Sequence, residues 1–152
     1  TVASPIIANG LILGSCGSGG GGNFVVAVSP GEKPTLKYKI DRNANYVPTP
    51  VAVGDLVFLV SDKGIATCVN ANNGEVVWRE RLKGEYWASP VCVNGNVYAI
   101  NSTGEVTVFA AAETFRKTGS AELGEKCHST PAVADGKMVL RTVSHLMSVG
   151  GR

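Results

Sequence analysis

The sequence is poor in charge. Only 17% of its 152 residues are charged, and 14 basic residues against 12 acidic ones leave a net charge of +2. No basic run of five or more residues occurs, which excludes the electrostatic footprint of a nucleic-acid binder or of a protein drawn to an acidic membrane. No apolar run approaches the roughly 18–20 residues that cross a bilayer as a helix. Cysteine is sparse: Cys16, Cys68, Cys92 and Cys127 each lie at least 24 residues from the next. That spacing excludes the Cys-x-x-Cys pairs of zinc sites and thioredoxin-like centres. It leaves the thiols as small hydrophobes in strands, or as disulfide partners in an oxidising compartment. No segment of helical length shows a 3.6-residue period, and Ala110 to Lys117 offers one turn at most. The chain opens TVASPIIANG, with neither Met nor a positive leader, and so reads as a fragment or a processed chain.

What is present is a repeat, in a chain that is 44% hydrophobic and so has material for a core. SPIIANGLIL starts at Ser4, TPVAVGDLVFLV at Thr49, SPVCVNGNVYAI at Ser89 and TPAVADGKMVLR at Thr130, a spacing of 40 to 45 residues. Five and six residues after each Ser/Thr stands a turn pair: Asn9-Gly10, Gly54-Asp55, Asn94-Gly95 and Asp135-Gly136. Asn, Asp and Gly tolerate the positive φ of a tight hairpin, and the flanking Val, Ile, Leu and aromatic residues form strands. Each copy therefore opens with a hairpin, strands A and B. The second copy continues through the turn Ser61-Asp62-Lys63-Gly64, a strand C (Ile65 to Val69), the turn Asn72-Asn73-Gly74 and a polar strand D (Glu75 to Arg81). Four antiparallel strands in about 40 residues make one propeller blade.

The run TPVAVGDLVFLV, the turn SDKG and Val69-Asn70-Ala71-Asn72-Asn73-Gly74-Glu75-Val76-Val77-Trp78 resemble the PQQ-like β-propeller repeat. This is the blade of quinoprotein dehydrogenases and of outer-membrane assembly lipoproteins, and the likeness extends to exported bacterial PQQ-like repeat proteins. Asn70, Gly74 and Trp78 carry the blade signature, A-x-D-x-x-T-G-x-x-x-W in the family, with Asn73 in the Thr place. The resemblance implies an all-β partial propeller of about three and a half blades, approximately residues 4–40, 49–83, 89–123 and an incomplete 130–149. In the third blade Gly104 to Phe115 is shorter than Gly64 to Trp78, so Phe115 is expected to take the place of Trp78. In the first, Leu36 or Tyr38 falls near that place. A chain of this kind reads as the C-terminal half of a larger propeller of about seven or eight blades, with the missing N-terminal blades as partners. In isolation it is expected to be marginal in stability, or to self-associate through uncovered edges.

GSCGSGGGGN, Gly14 to Asn23, falls between strands B and C of the first blade and reads as a lengthened loop. It lacks the Gly-Lys-Ser/Thr and the following helix of a phosphate-binding loop. Quinoprotein alcohol dehydrogenases hold PQQ against adjacent cysteines, with acidic and Asn ligands for calcium. Neither feature occurs here, so no catalytic, metal or cofactor residue is assigned, and PQQ would need a site supplied by missing blades. Strand alternation places the D–A and B–C connections on one face. That face gathers Arg42, Tyr46, Tyr86, Trp87, Cys127 and His128 from the D–A links, with Arg141 and His145 from the last B–C loop. Loops on a rigid scaffold are where binding concentrates, and Tyr, Trp and Arg are the favoured anchors. The sequence therefore reads as a non-catalytic scaffold binding a protein or peptide partner. A fragment of a PQQ-dependent dehydrogenase and a carbohydrate-binding propeller are the alternatives. The resemblance implies a periplasmic or otherwise exported location.

Overall fold

In the computed structural model, which describes residues 2–18 and 21–150, the repeats become four antiparallel sheets. The first contains β1 (Ile6–Ala8), β2 (Leu11–Ser18), β3 (Gly21–Ser29) and β4 (Thr35–Ile40). The second contains β5 (Val51–Val53), β6 (Leu56–Val60), β7 (Ile65–Asn70) and β8 (Val76–Arg81). The third contains β9 (Val91–Val93), β10 (Asn96–Ile100), β11 (Glu105–Ala110) and β12 (Lys117–Glu122). The fourth has three strands among the described residues, β13 (Ala132–Ala134), β14 (Lys137–Arg141) and β15 (Leu146–Gly150). Each sheet is a meander in sequence order, and the short first strands β1, β5 and β9 lie beside one another. No helix forms among the described residues, Ala110 to Lys117 included.

The tight A–B turns form because Asn9, Asn94 and Asp135 accept positive φ, each followed by a Gly that does the same. The glycine run corrects the expectation of a long loop. Gly14 to Ser18 lies in β2 and Gly21 to Asn23 in β3, with Ser15 opposite Val25 and Cys16 opposite Phe24. The hairpin ladder reaches through the glycines, and Gly19 and Gly20 lie outside the described residues.

The period of two divides each central strand between two cores. Val57 and Leu59 of β6 pack toward the first sheet, with Leu13, Val25 and Ala27. Phe58 and Val60 pack toward the third, with Val97, Ala99 and Phe109. On β10, Val97 and Ala99 face the second sheet, while Ile100 joins Val106 and Leu140 toward the fourth. Every core is thus made by two sheets, the arrangement that stacks blades face to face.

Two recurring devices tie the sheets together. The first explains the repeated Ser/Thr. The Ser4 amide donates to Thr49 Oγ1 at 3.0 Å, the Thr49 amide to Ser89 Oγ at 2.9 Å, and the Ser89 amide to Thr130 Oγ1 at 3.0 Å. One hydroxyl per blade satisfies the backbone of the blade before it.

The second device is an aromatic side chain on the outer strand. In the first three sheets the outer strand carries one extra residue at the same place: Lys37, Val77 and Thr118 are skipped in the pairing. Such a bulge re-aims the side chain beside it. Next come Tyr38, opposite Ala27, and Trp78, opposite Cys68. The Tyr38 hydroxyl donates to Ala71 O of the second sheet at 2.8 Å, and burial raises its pKa above the ordinary value. Trp78 Nε1 donates to Ala112 O of the third sheet at 2.9 Å. Its indole lies 5.9, 5.7 and 5.2 Å from the rings of Phe58, Phe109 and Phe115.

The signature residues around Trp78 serve the same junctions. The Asn70 side chain accepts the Asn72 amide at 2.8 Å and shapes the turn, and its carbonyl accepts the Gly74 amide at 2.8 Å. Gly74 has φ +73, and a Cβ there would collide with the ring of Tyr38. The turn of one blade is therefore the seat for the aromatic of the blade before.

The third sheet departs from this rule and corrects the expectation for Phe115. Phe115 lies outside β12 and packs against Trp78 as part of that residue's seat. The position equivalent to Trp78 is Gly119, opposite Val108. In the first blade it is Tyr38, and Leu36 is exposed.

Replacing Trp78 with Ala is expected to destabilise the protein by about 3 kcal/mol, through lost packing and an unpaired carbonyl. Tyr38→Phe, which removes only the hydroxyl, is expected to cost about 1 kcal/mol. Urea denaturation of the two variants beside the parent checks both the values and their order.

Candidate binding face

The face formed by the D–A links and B–C turns is built by hydrogen bonds between turns and links. The Tyr86 amide donates to Asp62 O at 2.9 Å, the Ser102 amide to Glu85 O at 2.7 Å, and the Val143 amide to Lys126 O at 3.2 Å. Asp62 Oδ1 accepts the amides of Tyr46 and Val47 at 3.2 and 3.0 Å. The B–C turns of the second, third and fourth blades are thereby fastened to the links beside them, and side chains on this face stand on a fixed base.

The candidate residues divide on burial. Arg42, Trp87, His128, Arg141 and His145 are exposed, and Tyr46 is half-buried. Tyr86 is 1% exposed and belongs to the core between the second and third sheets, so it does not reach the face. Burial pushes its phenol up to about 12; Thr107 beside it opposes the shift, and Glu105 adds to it. Cys127 is buried too, its Sγ 3.2 Å from Arg141 O.

Trp87 and His128 stand two residues before Ser89 and Thr130, at the same place in successive repeats. The spacing of the blades brings their rings together, with centroids 5.2 Å apart and planes inclined by 16°. Trp87 remains 51% exposed. Beside the stack, Lys126, His128, Ser129, Arg141, Thr142 and Val143 line a shallow hollow of about 210 Å³. Arg42 lies in the link after β4, remote in sequence from this cluster. The nearby groove lined by Asp41, Asn43, Asp62, Lys63 and Arg81 is polar and of both signs.

Glu125 is the residue on this face that the sequence reading passed over. Its carboxylate accepts from the Ser144 and Thr142 hydroxyls, with Thr142 Oγ1 at 2.7 Å, and from the Ser144 amide at 3.0 Å. His145 Nδ1 lies 2.9 Å from Glu125 Oε1. The Ser144 hydroxyl bonds, then those of the Thr142 hydroxyl and the Ser144 amide, hold the carboxyl well down, to about 2. Ser144, His145 and a carboxylate are the residue types of a nucleophilic triad, but the wiring differs. Ser144 Oγ and Glu125 share the same ring nitrogen, Nδ1, so no relay runs through the imidazole. The cluster is a latch between the third and fourth blades, and only a carboxylate, accepting every bond, fits it.

The thiols of Cys68 and Cys92 are poor nucleophiles. Burial raises Cys68 to about 12, with Glu113 adding to the effect, and burial raises Cys92 as well. Cys16, Cys68 and Cys92 lie on β2, β7 and β9, while Cys127 lies in the link before β13. They are too scattered to form a vicinal pair, and the described residues contain no group of three His, Cys, Asp or Glu able to hold a metal ion. The donor set among the described residues does not fit a quinone with its calcium.

Four-stranded meanders stacked face to face, with inner strands adjacent and an aromatic latch between neighbours, define a segment of a PQQ-like β-propeller. A family model described as "Outer membrane protein assembly factor BamB" matches residues 35–118, and the chain belongs to this PQQ-like repeat family. Two curated relatives carry that same description. The protein of Burkholderia pseudomallei (strain K96243) is 27% identical over 104 residues, covering 68% of this chain and 27% of the relative. That of Moranella endobia (strain PCIT) is 25% identical over 122 residues, covering 70% and 30%. The chain thus spans under a third of the length of these relatives. Among solved structures, BamB from Moraxella catarrhalis matches 97% of this chain and 46% of its own, with a TM-score of 0.78 at 16% identity. A europium-containing methanol dehydrogenase matches 78% of this chain and 24% of its own, with a TM-score of 0.66 at 15% identity. At these identities both likenesses speak to the fold alone.

The Glu125 latch gives a pH dependence of known sign. The folded carboxyl lies below its ordinary value of 4.5, so the stabilisation is complete above about pH 4.5 and is lost as pH falls through about 2. The protection of the Ser144 amide, its intrinsic exchange rate divided by the rate measured by NMR at the same pH, is expected to fall across that window. In Glu125→Gln that protection is expected to be low at every pH.

Proposed function

We propose that this chain is a non-catalytic scaffold that presents the face around Trp87 and His128 to a protein partner in outer-membrane protein assembly, in an exported compartment. The observation that carries the reading is the Trp87–His128 stack. A large aromatic side chain, 51% exposed, is held rigid by a ring partner on the neighbouring blade. Exposed aromatic and Arg side chains on a fixed scaffold supply most of the binding energy at protein interfaces, and here Arg141 and Lys126 border the stack. The relatives described as outer membrane protein assembly factors give the setting. The reading names no cofactor: burial disfavours the thiolates of Cys68 and Cys92, the four cysteines lie apart, and Glu125 is wired inward.

The test is site-specific photocrosslinking in the native cell envelope. A photoreactive residue at Trp87 is expected to capture a component of the outer-membrane assembly apparatus, and one at exposed Glu80 on β8 is not. With that partner purified, Trp87→Ala is expected to weaken binding about 30-fold, the roughly 2 kcal/mol of an interface hot spot, without unfolding the protein. Equal capture at both positions, or unchanged affinity, would reject the face. Saturable uptake of PQQ with calcium by the folded protein would replace the scaffold reading with an oxidoreductase one. Retention on polysaccharide that is lost in Trp87→Ala would replace it with a sugar-binding one.

A further inference from the structure

The aromatic latch is missing at one junction, and its space is open. Across the second sheet, Phe58, Cys68 and Trp78 stand side by side on β6, β7 and β8. The same column of the third sheet reads Tyr98, Val108 and Gly119. Toward the next blade, Trp78 meets Phe109, which pairs with Val97. In the fourth sheet that place is taken by Val149, paired with Met138. Tyr98, Val108, Gly119, Met138 and Val149 therefore repeat the strand positions around Trp78 one junction later, with the indole deleted. All five line a cleft of about 470 Å³ between the third and fourth sheets.

Nothing in the backbone calls for glycine at 119. Its φ lies outside the left-handed region, and a Cβ there would make ordinary contact with the Val108 side chain, at 3.8 Å. The absent side chain leaves apolar walls without a filler. At the rim, Thr118 Oγ1 donates to Asn96 Oδ1 at 2.9 Å, and Ser120 stands close by.

We propose that this cleft is a docking site for a tryptophan or tyrosine side chain presented by a partner polypeptide. The first two junctions show what such a space takes: a flat ring from a polypeptide, with one N–H or O–H at its edge reaching an oxygen of the blade wall. The apolar lining selects a ring over an ion or a sugar. A cavity lined by aliphatic and aromatic side chains binds aromatic molecules when its own filler is removed. The volume lies within the range of small-ligand pockets, and the rim oxygens offer acceptors for the polar edge. The site is on the flank between blades and is separate from the loop face, so it stands or falls independently of the scaffold reading.

The test uses N-acetyl-L-tryptophanamide as probe and the protein carrying ¹³C-labelled methionine and valine methyls. The expected result is a saturable shift of Met138 and Val149, with binding roughly tenfold tighter than that of N-acetyl-L-leucinamide. Gly119→Trp, which supplies the chain's own indole, is expected to abolish the probe response and to raise the thermal midpoint. Should that variant fail to fold, Gly119→Leu narrows the same cleft and is expected to weaken the probe at least about tenfold. An equal response to the leucine probe would overturn the proposal, because the surface would then be merely greasy. So would shifts of the same methyls with protein concentration alone, which would mark a second copy as the occupant. Failure of the probe on any longer form of the chain would overturn it as well, since further blades would then be closing the cleft.

Discussion

No sheet in this protein has a core of its own. Val57 and Leu59 point to one neighbour, and Phe58 and Val60 to the other, so the second sheet is apolar on both faces and complete on neither, as is the third. Stability must come from stacking, as in other repeat architectures. The remaining features follow from this constraint: adjacent inner strands, a hydroxyl passed from blade to blade at Thr49, Ser89 and Thr130, and an aromatic ring reaching from β4 and from β8 into the next blade.

The outer-strand ring has three requirements. An extra residue at Lys37 or Val77 aims it, a turn in the next blade receives it, and a carbonyl oxygen accepts its polar edge. Asn70 and Gly74 are thus explained by Tyr38 of the blade before rather than by any ligand. The exchange of this ring for Gly119 stands out because the bulge at Thr118 is kept while the side chain it would aim is absent.

The same stacking builds the loop face. Links and turns of adjacent blades are joined through their backbones, which brings together the side chains two residues before Ser89 and Thr130. Trp87 meets His128 for that reason, although 41 residues separate the repeats that carry them. Glu125 joins the third and fourth blades by accepting from Thr142, Ser144 and His145. On this face the acid–base residue types hold the structure together, and the exposed aromatic residue is what remains available to a partner.

The four repeats, their A–B turns and the all-β class were legible from local chemistry alone: Asn-Gly and Asp-Gly pairs at fixed offsets, and strand-forming runs between them. These signals depend on backbone preferences of neighbouring residues, which the sequence displays directly. The same locality misled at the glycine run, where the ladder of β2 and β3 continues through Gly14 to Ser18 because cross-strand hydrogen bonds need no side chain. The candidate face was legible as a set of links and turns, but not which of its residues are exposed. Tyr86 and Trp87 are adjacent in sequence, yet one fills a core and the other faces solvent. Phe115 looked like the latch of the third blade, and only strand register shows it to be the wall around Trp78, with Gly119 in the latch position. The sequence by itself determined the repeat, the strand order within each blade and the scarcity of reactive groups. Which faces meet, which rings stack and where a filler is missing emerged only from the folded chain, because those depend on contacts between residues about 40 positions apart, and at the latch on a single-residue bulge.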